Sequence, residues 1–202
     1  MRFINNLTEL REIYGHPGAR AISKVTPKLT SSYRSWIEKS NFCIISSVGS
    51  TGTDSSPRGD KEQVVRVLDE QTIAMPDWKG NNRIDTLQNI VEDGRVSLMF
   101  FVSGSETVIR INGTAHITDD EHLKSLFLKN KHLPTIVILI EINEVYFQCA
   151  KALIRSNLWH KGDCSAELPS AGDTLKEILN NNSFDGQAYD KKLPERYQKE
   201  LW

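Results

Sequence analysis

The apolar residues near the N-terminus recur every three or four positions, which predicts amphipathic helices. A Gly-His-Pro breaker follows the first set, and the second set begins beside Thr30 and Ser31, either of which is a suitable helix cap. The two sets are Leu7, Leu10, Ile13 and Tyr14, and then Leu29, Tyr33, Trp36 and Ile37. We therefore expect residues 1–40 to form an N-terminal helical segment.

Beyond residue 40 the apolar pattern has a period of two, or forms runs that are apolar on both faces, and both patterns predict strands. The predicted strands are 41–48, 64–68, 72–75, 95–102, 107–118 and 135–147. Most connections between them are too short for a crossover helix, so the sheet should be antiparallel. Closure into a barrel removes exposed edges. The pattern predicts a mainly β (α+β) fold, an antiparallel six-stranded β-barrel with flanking helices.

The character of the chain changes after this barrel domain, which spans residues 41–159. Residues 162–172 have a loop-like composition, and short charged helices are predicted at 174–180 and 188–201. We interpret residues 160–202 as a helical appendage packed on the same domain.

The composition is that of a globular, nearly neutral protein. The 202 residues include 25 Lys and Arg and 26 Asp and Glu, and the formal net charge is −1. This balance provides no general attraction to nucleic acid or to anionic membranes, so we expect neither partner. No apolar run is long enough to span a membrane, and residues 1–9 lack the apolar core of a secretion signal. We therefore expect a cytoplasmic protein.

Several reaction classes lose support because their motifs are missing. The sequence contains no phosphate-binding P-loop, no Gly-x-Gly-x-x-Gly, no Gly-x-Ser-x-Gly and no His-Glu-x-x-His. The five histidines lack the spacing of metal ligands, and the three cysteines form no Cys-x-x-Cys pair. We expect no metal site and no disulfide framework, and the catalytic residues stay unidentified.

The first candidate anion site lies in residues 77–90. Asn81 or Asn82 can cap a helix there, and an anion is favoured at a helix N-terminus. Asn82, Arg83 and Thr86 add side-chain donors to the free N–H groups of the first turn. A plainly capped surface helix with a solvated Arg83 explains the same residues. The apolar stripe that predicts the helix consists of Ile84, Leu87, Ile90 and Val91.

A second donor-rich segment, residues 54–60, lies between two predicted strands. Its proline and glycine predict an irregular backbone that can approach a ligand closely. The Arg58 guanidinium can fork onto phosphate oxygens. The alternative is a polar hairpin in which Arg58 pairs with Asp54 or Asp60.

The third candidate is a cationic and aromatic face in residues 148–159. Lys151 and Arg155 are four residues apart, and Trp159 stands four beyond, which places all three on one face of a predicted helix. Such a face can bind an anionic, planar ligand. Simple surface stacking of Arg155 on Trp159 is the alternative.

Taken together, these segments resemble the pyridoxamine phosphate oxidase-like family of FMN-binding split barrels. The similarity extends from about residue 36 to residue 159. It is strongest to uncharacterised bacterial members that share the motifs Pro-Arg-Gly-Asp, Gly-Asn-x-Arg-x-Asp-Thr and Lys-Ala-x-x-Arg-Ser-x-Leu-Trp in this order. The segments that carry it are 55–60, 80–90, 94–101, 110–115 and 149–159.

The resemblance implies a homodimer of six-stranded split barrels with FMN in clefts at the subunit interface. In this reading the cofactor-binding residues fall into two groups. Those at the FMN phosphate are Arg58, Arg83 and Thr86, with Ser56 and Asn82 in the same two segments. Those that close over the flavin ring from the partner subunit are Lys151, Arg155 and Trp159.

Two departures from the family pattern bear on the substrate. Residues 119–131 lack the Tyr, Arg and Ser series with which the oxidase that makes pyridoxal phosphate binds its substrate, and Gln148 stands where members often have His. The resemblance therefore implies an FMN-dependent oxidoreductase acting on an unidentified small molecule or electron donor. The alternative is a carrier that binds FMN or haem without turnover. Haem would favour His116 as ligand, although an ordinary cross-strand hydrogen bond also explains that residue.

Overall fold

The computed structural model describes residues 1–180 and 183–201. Its central feature is an antiparallel sheet in which the strands follow the order β2-β1-β5-β6-β7-β4-β3. The strands are β1 Phe42–Gly49, β2 Gly52–Gly59, β3 Arg66–Val67, β4 Thr72–Asp77, β5 Arg95–Phe101, β6 Val108–Thr118 and β7 Ile136–Gln148. The predicted mainly β, antiparallel fold is confirmed.

The described sheet has one strand more than the six predicted, because residues 54–60 are not an irregular loop. They belong largely to β2, which pairs with β1 over its whole length and places Arg58 opposite Cys43. Pro57 is compatible with this pairing because β2 is an edge strand, whose outer N–H positions need no partner. The predicted strand 64–68 is reduced to the two residues of β3.

The two ends of the sheet approach each other. Arg58 on β2 and Asp77 on β4 form a salt bridge of 3.0 Å, although four strands lie between theirs in the sheet order. The sheet therefore curls back on itself, as expected of a split barrel, and side chains rather than a backbone ladder join β2 to β4.

The core fills the inside of this curved sheet. Alternate residues of β6 face inward, and Ile109, Ile111 and Ala115 are buried while His116 is exposed. Helix α3 (Ser31–Lys39) adds Ile37 to the same core. Burial of each large apolar side chain stabilises the fold by about 1.5–3 kcal/mol, and a register shift of one residue would expose a whole strand face.

Helices α3, α4 (Asp85–Glu92) and α5 (Glu121–Ser125) pack against the strands, and none of the described helices is both long and apolar enough to cross a membrane. Thr30 caps α3 by accepting a hydrogen bond from the Tyr33 N–H at 3.2 Å, as predicted. Two five-residue helices were not predicted because they are too short to show a period. The other described helices are α1 Leu7–Tyr14, α2 Ala19–Ser23, α6 Lys151–Ser156, α7 Ala171–Leu179 and α8 Gly186–Glu200.

Helices α7 and α8 cross at two glycines. A Cβ atom on Gly172 would lie 2.1 Å from the Gly186 carbonyl oxygen, and the Gly172 N–H donates to Asp190 at 2.8 Å.

The domain boundaries after residues 40 and 159 remain predictions. Residues 181, 182 and 202, which fall in the predicted appendage, lie outside the described residues.

Candidate functional site

A cleft of about 750 Å³ opens between β2, the segment that joins β4 to α4, and the start of β7. Two stretches that are far apart in the sequence line it together. Among their residues are five of the predicted binding residues, namely Ser56, Arg58, Asn82, Arg83 and Thr86. Arg58 and Arg83 thus lie on the same side of the molecule, while their role in binding a ligand remains a prediction.

Arg58 is the most constrained cation of the cleft. Its Nη1 lies 3.0 Å from Oδ1 of Asp77, and the two side chains are only 25% and 14% exposed. The expected alternative partners are occupied, since Asp54 accepts from Thr86 and Asp60 pairs with Lys129. Arg58 Nε is buried and has no hydrogen-bond partner among the described residues. An unpaired buried donor of this kind costs about 1–3 kcal/mol.

The Asp77 carboxyl lies in a poorly solvated part of the cleft. Burial raises the pKa of the Asp77 carboxyl above its usual value, and the charge and hydrogen bond of Arg58 offset part of the rise. The desolvation that acts on this carboxylate also strengthens any charged contact that a ligand makes beside it.

Helix α4 begins later than predicted. Neither Asn81 nor Asn82 caps it. The Asn81 side chain accepts from the Arg83 N–H at 3.0 Å and forms an Asx turn, and Asn82 has a positive φ of 60°. The N-cap is Ile84, also left-handed, and no described side chain caps the helix. The first-turn N–H groups of α4 are therefore not used by a capping side chain, and these residues line the cleft.

The buried face of α4 also differs from the predicted apolar stripe. Ile90 is buried as predicted and Leu87 partly so, but Ile84 and Val91 are 49% and 77% exposed. Two polar residues are buried instead, Thr86 and Asn89. The Thr86 hydroxyl donates to Asp54, and Asn89 donates to Ser47 at 3.1 Å. These hydrogen bonds to β1 and β2 fix the rotation of the helix, which apolar spacing alone did not reveal.

The charges of the cleft are balanced. The described lining includes three carboxylates and three cations. Arg83 is 80% exposed and pairs with Asp85. An exposed pair of this kind is worth at most about 1 kcal/mol, so Arg83 can exchange its partner at little cost. The six charged residues are Asp54, Asp77, Asp85, Arg58, Lys79 and Arg83.

The third predicted group does not join the cleft within one chain. Lys151 and Arg155 are exposed on α6, which ends at Ser156 because Asn157 adopts a left-handed conformation. Trp159 lies beyond the helix, so the predicted common face of the three residues is wrong. The Trp159 indole N–H donates to the Ser105 carbonyl oxygen at 2.8 Å and does not stack on Arg155.

Two further residues singled out in the sequence also lie outside the cleft. His116 is exposed on the outer face of β6, opposite Leu139 of β7, and does not line the cleft. Gln148 ends β7, where its side-chain amide lies 3.8 Å from the Cys149 sulfur. A haem ligand at His116 therefore would not serve this cleft.

Residues 29–149, more than half of the chain, match the family described as pyridoxamine 5'-phosphate oxidase. The chain belongs to this family. The resemblance found in the sequence motifs is thereby confirmed at the level of the family. No curated protein sequence matches the chain.

The solved structures that the chain matches include three bacterial proteins of low sequence identity. A variant of HupZ from Group A Streptococcus is 18% identical, with a TM-score of 0.50, over 59% of this chain and 98% of that chain. A Lactobacillus delbrueckii protein, provisionally assigned as a pyridoxamine 5'-phosphate oxidase, is 22% identical (TM-score 0.47; 60% and 95% covered). An FMN-binding protein from Syntrophomonas wolfei is 14% identical (TM-score 0.44; 71% and 97% covered). The HupZ match shows a shared fold.

Proposed function

We propose that the protein is a flavoprotein that binds FMN in the cleft between β2 and α4. The observation that carries this proposal is the convergence of Arg58 and Arg83 on one cleft beside the N-terminus of α4. Two guanidinium groups and a helix N-terminus suit a phosphate dianion without a metal ion. The cleft volume of about 750 Å³ is in the range of small-molecule sites. Membership of the pyridoxamine 5'-phosphate oxidase family supports FMN as the ligand.

The contacts of Thr86 refine its proposed role. Thr86 is 4% exposed, and its hydroxyl proton is already donated to Asp54. Thr86 is the second residue of α4, where a backbone N–H has no acceptor within the helix. We assign the backbone N–H of Thr86, rather than its hydroxyl, to the phosphate. Ser56 and Asn82 complete the cleft wall on either side.

A second copy of the chain completes the site in this proposal. Lys151, Arg155 and Trp159 lie outside their own chain's cleft, and the two cations are exposed. Ile84, at the rim of the cleft, is half exposed as well. In a homodimer, the α6 segment of one subunit would lie over the flavin ring held by the other.

Bound FMN would supply hydride or electron transfer, and the chain would bind and orient the reactants. The described lining of the cleft contains no histidine, cysteine or tyrosine, and its three carboxylates are engaged, Asp54 with Thr86, Asp77 with Arg58 and Asp85 with Arg83. We propose an oxidoreductase that acts on a small molecule, with FMN storage or transport as the alternative.

The absorption spectrum of the purified protein, followed by titration with FMN, tests the proposal. We expect a flavin spectrum, or quenching of FMN fluorescence with a micromolar or lower Kd. Colourless protein that does not take up FMN would refute it. Anaerobic addition of NADH or NADPH then separates the two functions, since reduction of the bound flavin supports the oxidoreductase and its absence supports the carrier.

A further inference from the structure

Asp77 has a fixed position next to the proposed phosphate end of the cleft. It is the last residue of β4 and pairs with Ile136 of β7. Its carbonyl oxygen accepts from the Thr135 N–H at 2.9 Å. These backbone contacts hold the carboxylate in place, and its side chain is only 14% exposed.

The Arg58 side chain depends on Asp77 for its orientation. Within the described residues, Asp77 provides the only ion pair to Arg58. Two other nearby carboxylates contact different residues, since Asp54 accepts from Thr86 and Asp60 pairs with Lys129. The contact uses one nitrogen of the guanidinium, and Nε has no partner. Because Nε is buried, the donors that remain for a ligand are the terminal NH₂ protons that do not face Asp77.

We propose that Asp77 is a positioning residue that orients the Arg58 guanidinium for the phosphate of FMN. This role rests on the proposed function of the cleft. An arginine that is held in place before binding loses less conformational freedom when the ligand arrives, so binding is tighter. Asp77 thereby increases the preference of the site for a phosphorylated flavin over a flavin without phosphate.

The negative charge of Asp77 acts against phosphate binding. The direction of the change in FMN affinity therefore depends on whether positioning or repulsion is the larger effect. A carboxylate beside a phosphate repels it, and removal of that charge would by itself tighten binding. The salt bridge with Arg58 already neutralises much of this charge, whereas no other described residue replaces the ion pair. Positioning therefore outweighs repulsion, and loss of Asp77 should weaken binding.

A double-mutant cycle measures this coupling. The FMN Kd is determined by fluorescence quenching for the unchanged protein, Asp77→Asn, Arg58→Ala and the double variant. We expect Asp77→Asn to raise the FMN Kd about tenfold, the scale of one charged hydrogen bond, but to lower it slightly in the Arg58→Ala background, where only the repulsion between Asp77 and the phosphate is removed. The riboflavin Kd should not change in Asp77→Asn. Asp77→Glu, which keeps the carboxylate, should restore most of the affinity.

The control is Glu70→Gln, the same type of change in an exposed ion pair with Lys28 that does not line the cleft. Equal or tighter FMN binding in Asp77→Asn, additive losses in the double variant, or an equal loss of riboflavin affinity would overturn the role of Asp77. If Asp77→Asn does not fold, Arg58→Lys replaces it, because it keeps the charge without the planar guanidinium that Asp77 orients, and undiminished FMN affinity then overturns the proposal. Failure of the unchanged protein to bind FMN would instead refute the proposed function itself.

Discussion

Arg58 and Asp77 join edge strand β2 to β4, which lies next to the opposite edge of the curved sheet, with 3.0 Å between Nη1 and Oδ1. They lie on β2 and β4, which no backbone ladder connects in the described sheet. Both side chains are largely buried, so each charge depends on the other for its compensation. The same pair lines the candidate site, and closure of the barrel is therefore linked to the geometry of the cleft.

The first prediction concerns this link. Arg58→Ala should lower the free energy of unfolding by about 2–3 kcal/mol, because it leaves the largely buried Asp77 carboxylate without a partner. This is less than the ~3–5 kcal/mol of a fully buried pair, since both side chains keep some exposure. Urea unfolding followed by circular dichroism measures the change. The matched control is Arg34→Ala, which removes an exposed pair with Glu38 and should cost less than about 1 kcal/mol. Equal effects of the two substitutions would show that the Arg58 pair does not hold the barrel ends together.

Gly113 provides a test of the sheet geometry. It lies at the β-bulge between β6 and β7, and a Cβ atom there would lie 2.2 Å from the Glu141 carbonyl oxygen. Because that oxygen belongs to the backbone of a paired strand, Gly113→Ala should destabilise the fold by about 1–3 kcal/mol. Thermal unfolding measures the loss. Gly18→Ala, which meets nothing within 4 Å, should change stability little, and a Gly113→Ala protein as stable as that control would contradict the bulge.

Ionisation of the Cys43 thiol makes the free energy of unfolding depend on pH in the alkaline range. Burial raises the pKa of this thiol from 9.0 to about 12, although the nearby Arg58 charge lowers it somewhat. Because the pKa is higher in the folded state, the stability that the thiol contributes is complete below pH 9 and is lost as the pH rises towards 12. We expect the free energy of unfolding to fall above pH 9 by up to about 1.4 kcal/mol per pH unit from this group.

Urea unfolding at a series of pH values between about 8 and 10.5 measures this loss, a window that spans the usual thiol pKa. The comparison is with Cys43→Ala, in which the other titrating groups are unchanged. The variant should show a shallower dependence on pH in this window. Identical slopes in the two proteins would mean that Cys43 ionises equally in the folded and unfolded states.

The periodicity of the sequence was sufficient to locate the strands that bury one face. The predicted ranges 41–48, 95–102, 107–118 and 135–147 agree with β1, β5, β6 and β7 to within one or two residues. These strands carry regular apolar positions because the core lies on their inner side. Edge strand β2 was missed, since it is polar and contains proline and glycine, and only its pairing with β1 makes it a strand.

Candidate site residues could be predicted from the sequence where their own side-chain chemistry identifies them. They were harder to predict where contacts between distant segments determine their position. Arg58 and Arg83 were singled out by their donors and their local motifs. The partner of Arg58 was not, because Asp77 meets it only through the curvature of the whole sheet. The start of α4 was misplaced because Asn81 closes an Asx turn instead of capping the helix. Local propensity does not distinguish these two uses of an asparagine.

Binding of FMN by Arg83→Ala tests the central claim, that two arginine-bearing segments together hold the phosphate of the flavin. Arg83 is 80% exposed, so its loss should leave folding intact. Isothermal titration should show FMN affinity weakened by about 1.5–3 kcal/mol, or roughly 10- to 150-fold, the scale of a charged hydrogen bond. The control is Arg95→Ala, whose arginine forms a similarly exposed pair with Asp93 at the other end of α4 and should bind FMN normally. Unchanged FMN affinity in Arg83→Ala would contradict the account and place the phosphate elsewhere.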